Sequence, residues 1–204
     1  MSDRTTHWDN VYATKGEAEV SWFQHSPTIS LDMIRAAEPG PGAAIIDIGG
    51  GASRLVDALL QGGYRNIAVL DLSANALEAA KQRIGAAAST VDWIVADATT
   101  WRPAQTYDVW HDRAAFHFLT DPRDRAAYVE RLRSAVAPSG HVIIATFAPD
   151  GPEKCSGLPV QRHDSASLSS ELGPEFELVE TRNEMHRTPW HSTQAFRFSR
   201  FRRR

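Results

Sequence analysis

Three aspartates stand at the ends of apolar runs, each beside residues small enough to leave its carboxylate open to a ligand. Asp47 lies within AAIIDI, just ahead of the consecutive glycines Gly49, Gly50 and Gly51. A glycine bend between a strand and a helix lets ligand atoms approach the backbone, because no side chain stands in the way. A dinucleotide fingerprint needs glycine at 49, 51 and 54, but position 54 is Arg54, and a phosphate loop ending in Gly-Lys-Ser/Thr is absent. An anionic Asp47 repels a pyrophosphate and suits a ligand ammonium, held directly or through water. Asp71 ends the run NIAVLD, where a carboxylate can accept both hydroxyl protons of a ribose, and Leu72 beside it can cover one face of a base. Asp97 ends VDWIVAD and can accept from an exocyclic amine. Each has a plainer reading: Asp47 as an anion beside the next helix's positive end, Asp71 as a cap for the helix that Ser73 begins, and Asp97 as a strand terminator.

The elements that must position these carboxylates follow from periodicity. Apolar runs AAIIDI, NIAVLDL, VDWIVAD, YDVWHD and HVIIATFA alternate with helix-period segments over 53–61, 74–84 and 123–136, the pattern of a parallel sheet covered on both faces. Ser73 and the pair Asp121-Pro122 are expected to open two of those helices. Beyond Gly151, PEKCSGLPVQRHD reads as a long loop, SASLSSEL as a short helix, and FELVETRNEM with TQAFRFSRF as two strands close enough to pair antiparallel. The expected fold is therefore α/β: a Rossmann-like doubly wound sheet of about seven strands, mostly parallel, with a C-terminal antiparallel hairpin. The whole of 1–204 reads as one domain, with 1–40 as an N-terminal helical segment and 148–164 as a loop on the substrate side.

Composition sets the outer bounds. The chain has 204 residues, a formal net charge of −3 and a single cysteine, Cys155. One thiol makes neither an internal disulfide nor a multi-thiolate metal site, so a reducing, cytoplasmic setting is expected. No basic-flanked apolar leader and no run of eighteen apolar residues is present, so no membrane partner is expected. The basic end RFSRFRRR reads as a solvated tail, and the overall charge disfavours a nucleic-acid partner.

An ammonium, a ribose and an adenine amine together describe S-adenosyl-L-methionine, the cofactor expected here. The segments DIGGGAS, VLDLS, VADAT, YDVWHDRAAFHFL and PSGHVIIATF, in that order, resemble the class I S-adenosylmethionine-dependent methyltransferases. More narrowly, WDNVYATKGEAEVSWFQ is similar to the opening of small methyltransferases that include protein-lysine methyltransferases, and YDVWHDRAAFHFL is similar to a strand of thiopurine-type S-methyltransferases. That resemblance implies cofactor contacts at Trp8, Tyr12, Trp22, Gly49, Asp71, Leu72, Asp97, Ala98 and Arg113, with Asp47 and Gly51 added from the glycine turn. It also implies that the aromatic N-terminal segment lies across the cofactor as a lid; aromatics at helical spacing, such as Trp8 and Tyr12, are otherwise core. Arg113 can equally be a surface cation.

His111, Asp112 and His117 cluster after the fourth strand and form the candidate catalytic group, as base or substrate-orienting residues, against the alternative of structural histidines. Their spacing fits no standard metal signature, and no metal is expected. Cys155 is expected to be a wall residue of the acceptor pocket. The implied reaction is in-line methyl transfer to a sulfur or nitrogen nucleophile of a small molecule. A protein lysine is the main alternative acceptor, and a non-catalytic cofactor-binding module is the alternative from another class. Oligomeric state leaves no trace in the sequence.

Overall fold

The computed structural model describes residues 3–204. Helix α1 (Asp3–Thr14) and a short 3-10 turn (Glu17–Glu19) precede α2 (Thr28–Ala36). Then β1 (Ala44–Ile48), α3 (Leu55–Gln61), β2 (Asn66–Asp71), α4 (Ala74–Ile84), β3 (Val91–Val95) and β4 (Tyr107–Arg113) alternate. After β4 come α5 (Pro122–Ala135), β5 (Val136–Phe147), the two-residue strands β6 (Lys154–Cys155) and β7 (Leu158–Pro159), α6 (Ser165–Leu172), β8 (Phe176–Arg187) and β9 (Thr193–Arg203). Seven strands form one sheet in the order β3-β2-β1-β4-β5-β9-β8, and β6 pairs only with β7. The first five are mutually parallel, while β9 runs antiparallel to both β5 and β8. This is the expected sheet with its finishing hairpin.

Alternation along the central strands sorts side chains to two faces. Ala44, Ile46 and Ile48 of β1 join Trp110, Val142 and Ile144 in a core closed by Tyr128, Val129 and Leu132 of α5 and by Leu168 and Leu172 of α6. Ile45 joins Ile67, Val69, Val109 and Ile143 on the opposite face, closed by Met33 and Ile34 of α2, Leu55 and Leu59 of α3 and Leu77 of α4. Burial on both faces explains why β1 reads as an unbroken apolar run, so that a carboxylate within it is conspicuous.

Two helix starts behave as their cap residues predict. Ser73 accepts from the Ala76 amide at the head of α4, and Asp121 accepts from the Arg123 amide at the head of α5, with Pro122 in the first turn. The helix expected from Ser53 begins two residues later, because Ser53 Oγ accepts from the Leu55 amide in a local turn. Strand β5 begins at Val136, directly where α5 ends, rather than at His141.

The basic end is not a solvated tail. Residues 197–203 belong to β9, between β5 and β8, with Phe198 and Phe201 fully buried. Two of its arginines are consumed locally: Arg200 donates to Glu180 Oε2 at 3.0 Å, and Arg203 donates to the carbonyls of Arg133 and Val136. Phe196 and Phe198 enter one core and Phe201 the other, so this strand is buried on both faces, which a count of charges does not register.

Candidate functional site

The carboxyl ends of β1, β2, β3 and β4 converge on one edge of the sheet, and the glycine turn after β1 forms its floor. The Gly49 amide donates to the Leu70 carbonyl at 2.7 Å, which folds the turn against β2. Gly49 has φ +64°, and a Cβ there would stand 2.6 Å from the Ala115 Cβ. Gly51 has φ +44°, and a Cβ there would stand 2.9 Å from an Asp71 carboxylate oxygen and 3.1 Å from the Tyr12 hydroxyl. Both positions therefore need glycine for conformation and for clearance. Gly49→Ala is expected to cost about 2 kcal/mol or more of stability, from the left-handed backbone and the clash together, and to abolish cofactor binding. Thermal melting and titration calorimetry on the same preparation check both halves.

Asp71 is buried at the end of β2, and its Oδ1 accepts from the Ser73 amide at 2.8 Å. Burial raises its pKa to about 7, against the lowering effect of that amide, and the charges of Asp47 and Asp9 push the same way as burial. Asp97 is held in a local turn: its Oδ1 accepts from the Thr99 amide at 2.8 Å and from the Thr99 hydroxyl at 2.6 Å. Its Oδ2 accepts from Arg4 of α1 at 3.1 Å. Arg4, Trp8, Tyr12, Trp22, Gly49, Asp71, Leu72, Asp97, Ala98, Arg113, Phe118 and Cys155 are among the residues lining one cleft above these strand ends. The empty space there, open solvent at its mouth included, is about 800 Å³.

Nine of the eleven expected cofactor residues line that cleft; Asp47 lines a second, smaller cavity on the other side of the glycine turn. Gly51 lines neither, but a Cβ at that position would meet Asp71 and Tyr12 as described. Asp47 is engaged from across the sheet, since it sits beside His111 in the parallel pairing of β1 with β4. His111 Nδ1 lies 2.7 Å from Asp47 Oδ1, and His111 Nε2 lies 2.9 Å from Ser30 Oγ of α2; all three side chains are buried. A carboxylate only accepts, so Nδ1 carries the proton that joins this pair.

The expected catalytic group does not converge. Asp112 points away from both cavities, and its carboxylate accepts from the amides of Ala115 and Phe116 and from the Tyr128 hydroxyl at 2.7 Å. It fastens the turn after β4, and burial raises its pKa to about 6 despite those donors. His117 is fully buried, its Nδ1 accepting from the Phe147 amide at 3.4 Å. Burial first, and the Arg113 charge second, lower its pKa to about 3. His111 alone of the three lines a cavity, and there it serves Asp47.

Arg4, Trp8, Tyr12 and Trp22 of the N-terminal segment line the cleft. Trp8 packs edge-on against Trp22 and Phe118, with centroids 5.6 and 5.0 Å apart, and Trp22 Nε1 donates to the Tyr12 hydroxyl at 3.2 Å. Ser73 Oγ donates to Asp9 Oδ1 at 2.7 Å, which ties α1 to α4. Glu17 pairs with Arg54 and, at 2.9 Å, with Arg83. Arg54, the residue that breaks the dinucleotide fingerprint, is thus a clamp for this strap. The Arg113 side chain is 10% exposed; its Nη1 donates to the Trp22 carbonyl at 3.0 Å and its Nη2 faces Glu184 at 3.4 Å. Sequence reasoning missed Arg4, Arg54 and Phe118, whose partners lie far along the chain.

Comparison with known proteins adds the following. Residues 45–140 match the model of a methyltransferase domain. No curated protein matches the sequence. Among solved structures, a protein studied for the conversion of a disulfide bond into a thioacetal group during echinomycin biosynthesis superposes with a TM-score of 0.78 at 20% identity, over 98% of this chain and 92% of that one. A SAM-dependent methyltransferase from Anabaena variabilis gives 0.77 at 14% identity, over 100% and 96%. The Burkholderia thailandensis 1,6-didemethyltoxoflavin-N1-methyltransferase, solved with 1,6-didemethyltoxoflavin and S-adenosylhomocysteine, gives 0.69 at 17% identity, over 98% and 84%. At these identities the likeness is one of fold. Among the described residues, no helix is long and apolar enough to cross a membrane.

Proposed function

We infer that the methyltransferase domain carried by residues 45–140 uses S-adenosyl-L-methionine and passes its methyl group to a sulfur or nitrogen atom of a small molecule. The observation that carries this reading is Asp71: a buried carboxylate facing a glycine cradle that any Cβ would fill. The residues fit the cofactor. Asp71 suits the ribose hydroxyls, Asp97 the adenine amine, and Leu72 and Ala98 the faces of the base; Asp47, held by His111 in the adjoining cavity that shares Gly49 with the cleft, suits the ammonium. When bound, the cofactor supplies a methyl group already activated by the positive charge on its sulfur.

The protein's own work is alignment and exclusion of water. Trp8, Tyr12 and Trp22 roof the cleft, and their aromatic faces favour a neighbouring cation. Burial, with the Asp71 charge second, raises the Tyr12 pKa far above its usual value, so Tyr12 stays neutral beside the ribose carboxylate. A small acceptor is favoured by this roof, and the toxoflavin-type relative, solved with a small molecule, has the same fold. A protein lysine would call for an open acidic groove, and the roofed cleft offers acids only at Asp71 and Asp97.

Titration calorimetry with S-adenosyl-L-methionine and with its demethylated product tests the cofactor. Micromolar binding of both, lost in the presence of excess product, is expected; an intact fold that binds neither ends the proposal. Methyl transfer to any acceptor then separates an enzyme from a binding module.

A further inference from the structure

The smaller cavity, which shares Gly49 with the cleft, is lined by two guanidinium groups that are already matched. Arg113 faces Glu184 at 3.4 Å, and Arg54 pairs with Glu17. Glu17 also serves Arg83, which Asp57 balances at 2.7 Å. Of the two acids in this lining, Glu17 and Asp47, only Asp47 has no arginine or lysine partner among the described residues. Its neighbour is His111, and the protonation of that ring sets the charge of the cavity. An imidazolium would cancel the carboxylate, whereas a neutral ring leaves one negative charge uncompensated.

Ser30 of α2 decides between the two. His111 Nδ1 spends its proton on Asp47 Oδ1, which leaves Nε2 facing Ser30 Oγ at 2.9 Å. Among the described residues Nε2 is the only hydrogen-bond partner of that hydroxyl, and Ser30 is 1% exposed. Were Nε2 protonated, the hydroxyl would accept and its own hydrogen would be stranded in the interior. As donor to a bare Nε2 it satisfies both atoms. The ring is then neutral, and O–H to N and N–H to O run in one direction from α2 through β4 to β1. Serine, histidine and aspartate in this order form a nucleophile relay in hydrolases, but a hydroxyl this deeply buried faces the ring and not a substrate. Asp47 is the member that opens outward. Its Oδ2 accepts from none of the described residues, its side chain keeps 4% exposure in the cavity lining, and a Cβ at Gly50 would stand 2.6 Å from that oxygen.

We propose that Ser30 is a positioning residue for the cofactor's ammonium group: it holds His111 neutral with its proton on Nδ1, so that Asp47 keeps its whole negative charge and presents Oδ2 to the cavity. This rests on the cofactor reading above and deepens it. Ser30 touches no ligand itself, and its effect reaches the ammonium only through the ring and the carboxylate.

The test titrates the full chain at neutral pH with two ligands, S-adenosylhomocysteine and its analogue with hydrogen in place of the amino group. The unaltered protein is expected to prefer the first by at least about 30-fold, within the range of a hydrogen bond to a charged group. Ser30→Ala is expected to cut that preference to about 5-fold or less, because the ring is then free to turn or to take up a second proton. A serine needed only for packing would weaken both ligands alike, and an unchanged preference overturns the proposal. Nitrogen-15 spectra of the histidine rings in the ligand-free protein give a second measure, with His111 expected to show a protonated Nδ1 and a bare Nε2. Two protonated nitrogens, or the opposite tautomer, overturn the proposal, and this result decides should Ser30→Ala not fold. Equal affinity for the two ligands in the unaltered protein removes Asp47 from the cofactor, and the proposal with it, while the assignment of Asp71 stands. Failure to bind either ligand overturns the earlier reading as well.

Discussion

Asp71→Ala is expected to weaken S-adenosyl-L-methionine binding at least about 100-fold without loss of fold, because two hydrogen bonds to a charged acceptor at about 1.5–3 kcal/mol each disappear together. The native side chain has no lysine or arginine partner among its hydrogen bonds, so its removal strands only the Ser73 and Gly51 amides. Asp71→Asn retains one acceptor oxygen and falls between. Calorimetry gives the ratios, and circular dichroism confirms the fold. The pH dependence has a definite sign. Burial lifts this carboxyl from 3.8 to about 7. The form that accepts both ribose hydroxyls is the ionised one, so affinity is full above about pH 7 and declines as the pH falls through it. Stability of the cofactor-free protein moves the other way. A raised carboxyl value means that the folded state keeps its proton where the unfolded chain has lost it, so the stabilising contribution is complete below about pH 4 and fades as the pH rises toward 7. Affinity and stability measured over that window are expected to cross.

Asp112→Ala is expected to be the most destabilising single change near the site, at about 3–5 kcal/mol. Three buried donors, the amides of Ala115 and Phe116 and the Tyr128 hydroxyl, lose their acceptor at once. The damage would spread, since the Tyr128 hydroxyl also accepts from Trp110 Nε1 at 2.8 Å in the centre of one core. Asp112→Asn keeps an oxygen for the two amides but turns an amide N–H toward the Tyr128 hydroxyl, so about half the loss is expected. Tyr128→Phe removes one bond and about 1 kcal/mol. Denaturant melts of the three variants check this ranking. A catalytic Asp112 would instead lose turnover at unchanged stability in the Asn variant.

The frame of the molecule was legible because its signals are local. Apolar run length, Ser73 ahead of a helix-period segment and Pro122 after Asp121 each act within a turn of where they are read. The glycine turn was legible for the same reason: Gly49 and Gly51 betray their left-handed backbone in their identity. What lay hidden depends on pairings remote in sequence. His111 meets Asp47 only because β4 lies beside β1, a neighbour relation set by sheet order, so a residue expected to face substrate is engaged with a buried carboxylate instead. Asp112 and His117 share its short segment, but alternation of side chains and the turn after β4 send them into the core. Arg4 reaches Asp97 across 93 positions, and no local pattern marks it. The arginines of β9 were misjudged because a basic run was weighed by charge, while Phe196, Phe198 and Phe201, which feed the cores on both faces of the sheet, were the stronger signal.

The strap that roofs the cleft is fastened at separate places: Asp9 to α4, Glu17 to Arg54 and Arg83, the Trp22 carbonyl to Arg113, and the Ser21 carbonyl to His186. Such a door does not swing on one hinge; its latches must release together, a collective event on the microsecond to millisecond scale or slower. Grip and residence time are then coupled. A change that tightens any latch would lengthen the stay of spent cofactor as surely as that of fresh, and the cycle would slow even as affinity improved.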